Sequence, residues 1–525
     1  VSFVGARFAC IVVVYTLPPF VIIVVSDSVV WAFVGSTGPF TAGRGHADRA
    51  KFPYHTVDKI LRDVNASGAR TSMLVSRASD WVLWEPWQGH GPATSVQRNL
   101  YKRVDGTGVL FEEVHEPLGL RFRWGLSGCD RYGLVRRAVI DELAGEPVDI
   151  RYLDGLHQII PPGVDQELYS RFSYLALAYM RHERLEDVPL ALYTLNTTVT
   201  DRPEPSESLR ATVAWSVGHP HPQVLLDDTG LGSFRRGEQL EDQAEARGRM
   251  GAYLALDRVR LDGHGTHDWY TVADTWLDHA AVLELRESLR SPTTLRSDLE
   301  RAVAADAEGL DVRVAAADGI EVSADEATTA NHFANVLYNI MRGGTFEHGY
   351  EVPGADVGSY LRDQSPATLA RHRAWVEGLP EQLPLSELQV AAAATDDPQL
   401  RRLLGAYLPL TFSRRHGDPS RPWNRFSIRV RDAEGQPVFG YEGNWRDIFQ
   451  NWEALGQSYP AFLPHFVAVF LNASTDDGYN PYRITRTGID WEVFDPSDPW
   501  SHIGYWGDHQ IVYLHRLLEA WERFE

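Results

Sequence analysis

The sequence predicts an α+β protein of more than one structural unit, a large antiparallel β-sandwich followed by a helical region. Three observations predict it. Between about residues 70 and 290, short or alternating apolar runs are broken by Gly, Pro and Asp with no helical period between them, the pattern of successive antiparallel strands. Beyond about residue 325, apolar residues recur every third or fourth position, the period of helices packed on one face. The length of 525 residues accommodates two or three units.

Composition narrows the partners. The formal charge is -21 and the pI is near 5.4, with the deficit of Lys and Arg spread along the chain. Nucleic acid and anionic membranes need a basic footprint, so neither is expected as a partner. Aromatic residues make up 11%, with 16 Trp, which favours sheets and ligand platforms over helical bundles. Cys10 and Cys129 alone can form neither a disulfide framework nor a cysteine metal site; a reducing, cytoplasmic setting fits. A nucleotide-binding glycine fingerprint, a P-loop and a Gly-x-Ser-x-Gly elbow are all missing, so no organic cofactor is expected.

Residues 1–45 form an apolar N-terminal segment. Residues 8–25 read FACIVVVYTLPPFVIIVV, and a second run, 29–34, follows Ser26-Asp27-Ser28. Its length approaches that of a membrane span. Pro18-Pro19 at its centre, the β-branched bias and a flank carrying only Arg7 oppose one, and the run is too long for a signal peptide. Three readings stand: a membrane anchor through residues 8–34, buried strands, or an artefact of the assigned reading frame.

Residues 46–325 are expected to form the sandwich, with strands around 109–111, 118–124, 134–140, 148–153, 190–200 and 209–217. The aromatic-acidic run from Asp80 through Trp81, Trp84 and Glu85 to Trp87 has the chemistry to reach a ligand, but sheet core is the expectation. Gly263-His264-Gly265-Thr266-His267-Asp268 offers metal-ligand types. It lacks the helical Glu of a metalloprotease and any further ligand, so a solvated loop and no metal are expected.

Helices follow, in a segment spanning 326–440. A charged helix is expected at 295–310, and another at 327–341 with Phe333, Val336, Leu337 and Ile340 on one side, stopping at Gly343-Gly344. A third, 366–379, opens with Pro366 after Ser365. A polar segment, 414–424, then precedes a hairpin at 425–441.

The chain is organised around Tyr441-Glu442-Gly443-Asn444-Trp445-Arg446-Asp447-Ile448-Phe449-Gln450-Asn451-Trp452. Rings cover the apolar faces of a pyranose, and Arg with Asp or Glu gives directed hydrogen bonds to its hydroxyls. Ile448, Phe449, Trp452 and Leu455 share a helical face, placing Arg446 and Asp447 on the first turn. An Asp that caps a core helix with Arg as its surface partner explains the dipeptide equally well. A second helix is expected at 461–471. A long polar loop follows with Asp476, Asp477, Tyr479, Arg483, Arg486, Asp490 and Glu492, and such loops are functional when ordered. A third helix starts near Tyr505, with Ile511, Leu514, Leu518 and Trp521 buried.

The run from Trp445 to Asn451 resembles the Phe-Arg-Asp-x-x-Gln-Asp signature of the cellobiose, cellodextrin and chitobiose phosphorylases, glycoside hydrolase family 94 of the six-hairpin glycosidase superfamily. An apolar helix, a loop with Asp477-Gly478, and a helix start at Gly507-Asp508-His509 similar to Asp-Asp-x-x-Trp-Leu come in the family's order. The resemblance is specific over 445–525 and architectural elsewhere. It implies a galactose-mutarotase-like sandwich, a helical linker, and from residue 441 the start of an (α/α)6 barrel. It also implies that Arg446 and Asp447, with Gln450, hold the sugar of subsite -1, and that Trp445, Tyr505, Asp508 and His509 line the substrate site. Trp445, Asn451 and His509 depart from the family's Phe, Asp and Asp, so substrate preference does not transfer.

Inverting phosphorolysis needs a carboxylic acid on the leaving oxygen and phosphate attacking the opposite face; hydrolysis replaces phosphate with water activated by a second carboxylate. In these barrels the acid lies well beyond the third helix. Twelve helices of roughly 11 to 12 residues each need more chain than follows Asp447. The resemblance therefore implies an N-terminal fragment with its general acid beyond Glu525; within the chain, Glu442, Asp447, Asp490, Glu492 and Asp508 are the fallback carboxylates. The expected activity is phosphorolysis of β-linked di- or oligosaccharides, with inorganic phosphate as co-substrate. A hydrolase of the same superfamily, amylo-α-1,6-glucosidase-like or trehalase-like, is the first alternative, and a non-catalytic carbohydrate-binding scaffold the second. A homodimer is what the family implies.

Overall fold

Leu120, Phe122, Trp124 and Leu126 are buried in the strand Leu120–Cys129, while Arg121, Arg123 and Ser127 between them stay accessible, the period of two that one covered face imposes. This strand sits within an 11-stranded antiparallel sheet. The computed structural model describes every residue except 1, 5–7, 13–17, 63–64, 66, 78–79, 88–94, 201–205, 221, 347–349, 416, 418, 421–425, 433–434, 492–504 and 507–509. The chain divides into two compact units, Val1–Leu310 with Asp418–Pro422, and Asp311–Gly417 with Trp423–Glu525.

In the first unit the large sheet runs, edge to edge, Ser2–Val4, Phe8–Val12, Val96–Arg103, Gly108–His115, Leu120–Cys129, Gly133–Glu142, Thr266–Leu277, Ala211–Val217, Leu190–Leu195, Met180–Arg184 and Glu245–Arg247. A five-stranded sheet, Gln223–Leu225, Gly251–Leu261, Val148–Ile159, Gly68–Ser76 and Val82–Trp84, supplies a second layer. A three-stranded sheet, Val21–Val24, Val30–Gly35 and Phe40–Arg44, completes it. All three contribute to one core, in which Phe111 stacks on Trp124 at 4.3 Å and Tyr152 on Trp269 at 4.7 Å. Every strand expected from the sequence lies within an observed strand or overlaps one.

The N-terminal segment belongs to this unit. Of its three readings, buried strands describe residues 21–24, 30–35 and 40–44, whose Val24, Val34, Phe40 and Ala42 enter the common core. Among the described residues no helix is long and apolar enough to cross a membrane. Trp84 and Trp87 are core, at 4% and 7% exposure, and Glu113 accepts from the Trp84 indole and the Trp87 amide at 2.7 Å each. Trp81, by contrast, is exposed, with Arg258 over its ring at 5.8 Å.

The expectation of a solvated loop at 263–268 needs correction. Thr266 opens the strand Thr266–Leu277, so His267 and Asp268 fall on opposite faces of a sheet. The hydroxyl of Tyr152 lies 3.1 Å from His267 Nε2 and 3.0 Å from His219 Nδ1. Asp268 pairs with Arg137 at 2.9 Å and with Arg296. Among the described residues no group of three or more His, Cys, Asp and Glu is placed to hold a metal ion.

The second unit is mostly helical. The helix expected at 327–341 spans Glu326–Gly343, capped by Asp325 and burying Phe333, Leu337, Ile340 and Met341. The helix expected at 295–310 extends over Pro292–Ala316 and crosses the division between the units. The single helix expected at 366–379 is two, Pro366–Arg371 and Arg373–Glu377. His372 between them leaves helical dihedrals, and its ring lies 2.8 Å from Asp397, which also takes Arg371 at 2.8 Å. The hairpin expected at 425–441 is also revised. Ser427–Ile428 pairs with Arg414–Arg415, and the chain turns back through an isolated bridge of 431 to 437, where the Val438 amide donates to the Val430 carbonyl at 3.1 Å and the Asp432 amide to the Gln436 carbonyl at 2.9 Å.

Candidate functional site

A short strand, Glu442–Asn444, turns directly into the helix Trp445–Ser458. The strand is held by Arg483–Thr485, which pairs in turn with Gly488–Asp490, so part of the long polar segment is a hairpin rather than a loop. The Trp445 amide donates to the Tyr482 carbonyl at 2.9 Å, fixing the corner. Gly443 is packed so closely that a Cβ would meet Ile448 at 3.0 Å. Arg483 clasps the three pieces: it donates to Glu442 at 3.0 Å and to Asp490 at 2.7 Å. Burial works against the Arg483 charge, but its bond to Asp490 and the nearby carboxylates outweigh that and raise its pKa. Glu442 and Asp490, two of the fallback carboxylates, thus serve as anchors of the corner.

The apolar face of the helix is as expected: Ile448 and Phe449 are fully buried and Trp452 nearly so. Trp445 requires correction as a substrate platform. It is 0% exposed, with Phe449 at 4.8 Å and Phe470 at 5.6 Å, because the first helical position turns inward from the strand. A sugar cannot stack on it there. Arg446 lies half-buried beside Asp447 and donates to its Oδ1 from Nη2 at 3.1 Å. Asp447 is 5% exposed, and among the described residues no side chain other than Arg446 bonds to its carboxylate. Asn451 donates to the Asp447 carbonyl, holding the first turn. Gln450 is exposed on the following turn.

The remaining expected site residues are placed less fully. Glu492, Asp508 and His509 lie outside the described residues, as does the Tyr505 side chain; the Tyr505 backbone pairs with Asn480 in a short two-stranded ladder. The third helix begins at Ile511, and its buried residues are Leu514, Leu517 and Ala520, whereas Ile511 and Leu518 are exposed. The inward face is rotated from the one the i, i+4 spacing suggested.

Two clefts lie away from the Arg446–Asp447 pair. In the first unit, a cleft of about 620 Å³ runs between the outer face of the large sheet and Glu300 to Glu308 of the long helix, with Arg123, Arg137, Asp141 and Tyr270 on its wall. In the second unit, a pocket of about 180 Å³ is lined by residues from several segments, including Tyr360, Arg402, Tyr441 and His465. Sequence reasoning missed these groupings, apart from naming Tyr441. Their members are scattered, and no spacing joins them.

Comparison with known proteins adds one family match. Residues 346–409 match Glycoside hydrolase family 149 insertion domain 1. No curated protein matches the chain. Among solved structures, a bacterial glucoamylase complexed with acarbose is 9% identical, with a TM-score of 0.39 over 98% of this chain and 69% of that one. A protein named as a kojibiose phosphorylase from the human microbiome is 8% identical, with a TM-score of 0.25 over 86% of this chain and 43% of that one. A polysaccharide lyase covers 49% of this chain and 32% of its own, at 12% identity and a TM-score of 0.25. All three TM-scores are too low to establish a shared fold. The match covers that segment alone and likens it to an insertion domain of glycoside hydrolases.

Proposed function

We propose that the chain contributes the sugar-binding corner of a glycoside-cleaving protein acting on β-linked di- or oligosaccharides, with inorganic phosphate as the attacking group. The observation that carries this reading is the Asp447 carboxylate, nearly buried at a strand–helix corner, held by Arg446 and with no other side-chain donor among the described residues. A carboxylate withdrawn from water needs donors, and two vicinal sugar hydroxyls supply them. Arg446, fixed by Asp447, is free on its remaining N–H groups to donate to a third hydroxyl or the ring oxygen. Exposed Gln450, one turn on, is within the same stretch for a further contact.

In phosphorolysis these groups hold the ring while charge develops at the anomeric carbon, and hydrogen bonds to the sugar hydroxyls that strengthen at the oxocarbenium-like centre favour its formation. The general acid and the phosphate that attacks the anomeric carbon are separate from this corner, which supplies the hold on the sugar. The hydrolase is the second reading, favoured by the family name of the matched 346–409 segment. A homodimer and a cytoplasmic location belong to the same proposal.

The test is turnover by the whole natural gene product on β-linked disaccharides of glucose and N-acetylglucosamine, with and without phosphate. Sugar phosphate formed only with phosphate, and lost in Arg446→Gln and Asp447→Asn, supports the first reading. Free sugar released without phosphate supports the second. Sugar binding without turnover in either condition would leave a non-catalytic carbohydrate-binding protein, and no binding at all would overturn the proposal.

A further inference from the structure

The 180 Å³ pocket of the second unit carries hydrogen-bond donors and no carboxylate on its wall. Tyr360 and Arg402 come from the segment that matches the insertion domain, and Tyr441, His465 and Asn472 from the elements around the helix Trp445–Ser458. Trp452 and Phe466, stacked at 4.8 Å, also line it. Tyr360 is only 4% exposed, yet neither its hydroxyl nor that of Tyr441 bonds to any described residue. Both hydroxyls are therefore open to a ligand in the pocket.

The charges around the pocket are unequal. Arg486 is neutralised, its two terminal nitrogens donating to Asp356 at 2.8 and 2.6 Å. Arg402 reaches only Gln399 of its own helix, at 3.3 Å, and among the described residues it has no carboxylate partner. His465 is accommodated because position 405 is glycine; a Cβ there would approach its ring to 2.2 Å. Two phenolic hydroxyls, an amide, an imidazole and one unpaired guanidinium converge where acceptor-only groups are missing. That inventory calls for an acceptor-rich ligand. The volume is below the roughly 300–1,000 Å³ of clefts that take drug-sized molecules, which suits an inorganic anion or one phosphorylated ring.

We propose that this pocket binds a phosphate group, free or carried on a hexose, at a site separate from Arg446 and Asp447. The occupant would bridge the 346–409 segment and the helix that bears the sugar-binding corner, so its binding would tie the two together. The inference does not depend on the glycoside reading, because neither Arg446 nor Asp447 lines the pocket.

Titration calorimetry on the whole chain tests it with three probes: inorganic phosphate, glucose 1-phosphate and neutral glucose. Saturable binding of either phosphate probe is expected. Arg402→Gln, an exposed position whose fold is checked by circular dichroism, weakens it about tenfold or more, and Tyr441→Phe weakens it by a smaller factor. Arg446→Gln leaves the binding of inorganic phosphate unchanged. Tighter binding of glucose 1-phosphate assigns a hexose phosphate, and equal or tighter binding of inorganic phosphate assigns the free anion. The proposal is overturned by no saturable phosphate binding in the parent, by binding that Arg402→Gln leaves intact, or by binding that Arg446→Gln abolishes.

Discussion

Arg136 and Asp154 form a two-pronged ion pair at 2.5 and 2.8 Å with both side chains wholly withdrawn from solvent. Arg136 projects inward from the large sheet and Asp154 from the five-stranded one, so the pair joins the two layers of the sandwich. Asp154 also accepts from Thr71 at 2.5 Å and from the Trp269 indole at 2.6 Å, and Arg136 lies over the Trp124 ring at 5.4 Å. Desolvation of two charges offsets most of their attraction. The pair is therefore expected to reveal itself when one partner is removed rather than through its net contribution.

Arg136→Met should destabilise the first unit by about 3–5 kcal/mol, the cost of stranding a buried charge. The double change Arg136→Met with Asp154→Leu should recover much of that loss. Urea unfolding followed by Trp fluorescence measures both. A double variant whose loss equals the sum of the two single losses would show that the two residues are not coupled.

Glu142 receives the backbone amides of Ala144 and Gly145 at 2.8 Å each, that of His264 at 2.9 Å, and Arg77 at 2.7 Å. Burial pushes its pKa up, but these donors dominate and bring it down to about 2 from 4.5. A depressed folded-state pKa stabilises fully above the unfolded value and is lost as pH falls through the folded one. Glu142→Gln should therefore cost about 2 kcal/mol at pH 7, and the gap to the parent should close between pH 4.5 and 2. Parallel stability curves down to pH 2 would contradict this.

Lys51 is 0% exposed, 3.6 Å from Asp274, which Arg44 also engages at 2.7 Å. Burial lowers its pKa to about 8 from 10.5, against the pull of Asp274. Here the unfolded chain holds the proton more tightly, so the folded state gains stability as pH rises from 8 to 10.5. Lys51→Met should lose that alkaline gain, measured as the difference between the two proteins across the window. An unchanged difference would mean that Lys51 is not desolvated.

Trp445 and Arg446 are neighbours with opposite roles. Trp445→Ala opens a core cavity and should cost about 3–5 kcal/mol in the second unit. Trp445→Phe should keep both stability and sugar affinity, since the indole N–H has no partner to lose. Arg446→Gln removes the side-chain donor to the nearly buried Asp447 carboxylate, so it should cost about 1–3 kcal/mol of stability and remove sugar binding. If Trp445→Phe abolished binding in a folded protein, the ring would be a ligand contact after all.

The strands at 108–115, 120–129 and 133–142 were legible because one buried face writes a period of two into the sequence. The helix Trp445–Ser458 was legible for the same reason at helical period, and with it the position of Arg446 and Asp447 on its first turn. His267 and Asp268 misled because a Gly-rich turn precedes them by one residue, and the strand they belong to is stabilised by Gly133–Glu142 far away in sequence. The helix of 366–379 broke because Asp397 captured His372 and Arg371, a long-range event that leaves no local mark.

By itself the sequence determined the α+β class, the succession of strands and then helices, and the residue types at the start of the helix Trp445–Ser458, since periodicity and side-chain chemistry are properties of short stretches. Only the tertiary structure decided that Ile22, Val24, Val34 and Phe40 lie in the sandwich core, that Trp445 faces inward, and that Arg136 meets Asp154. It alone brought Tyr360, Arg402, Tyr441 and His465 around one pocket. Those outcomes depend on which distant surface each segment buries against, and burial is settled by the whole packed unit rather than by any stretch within it.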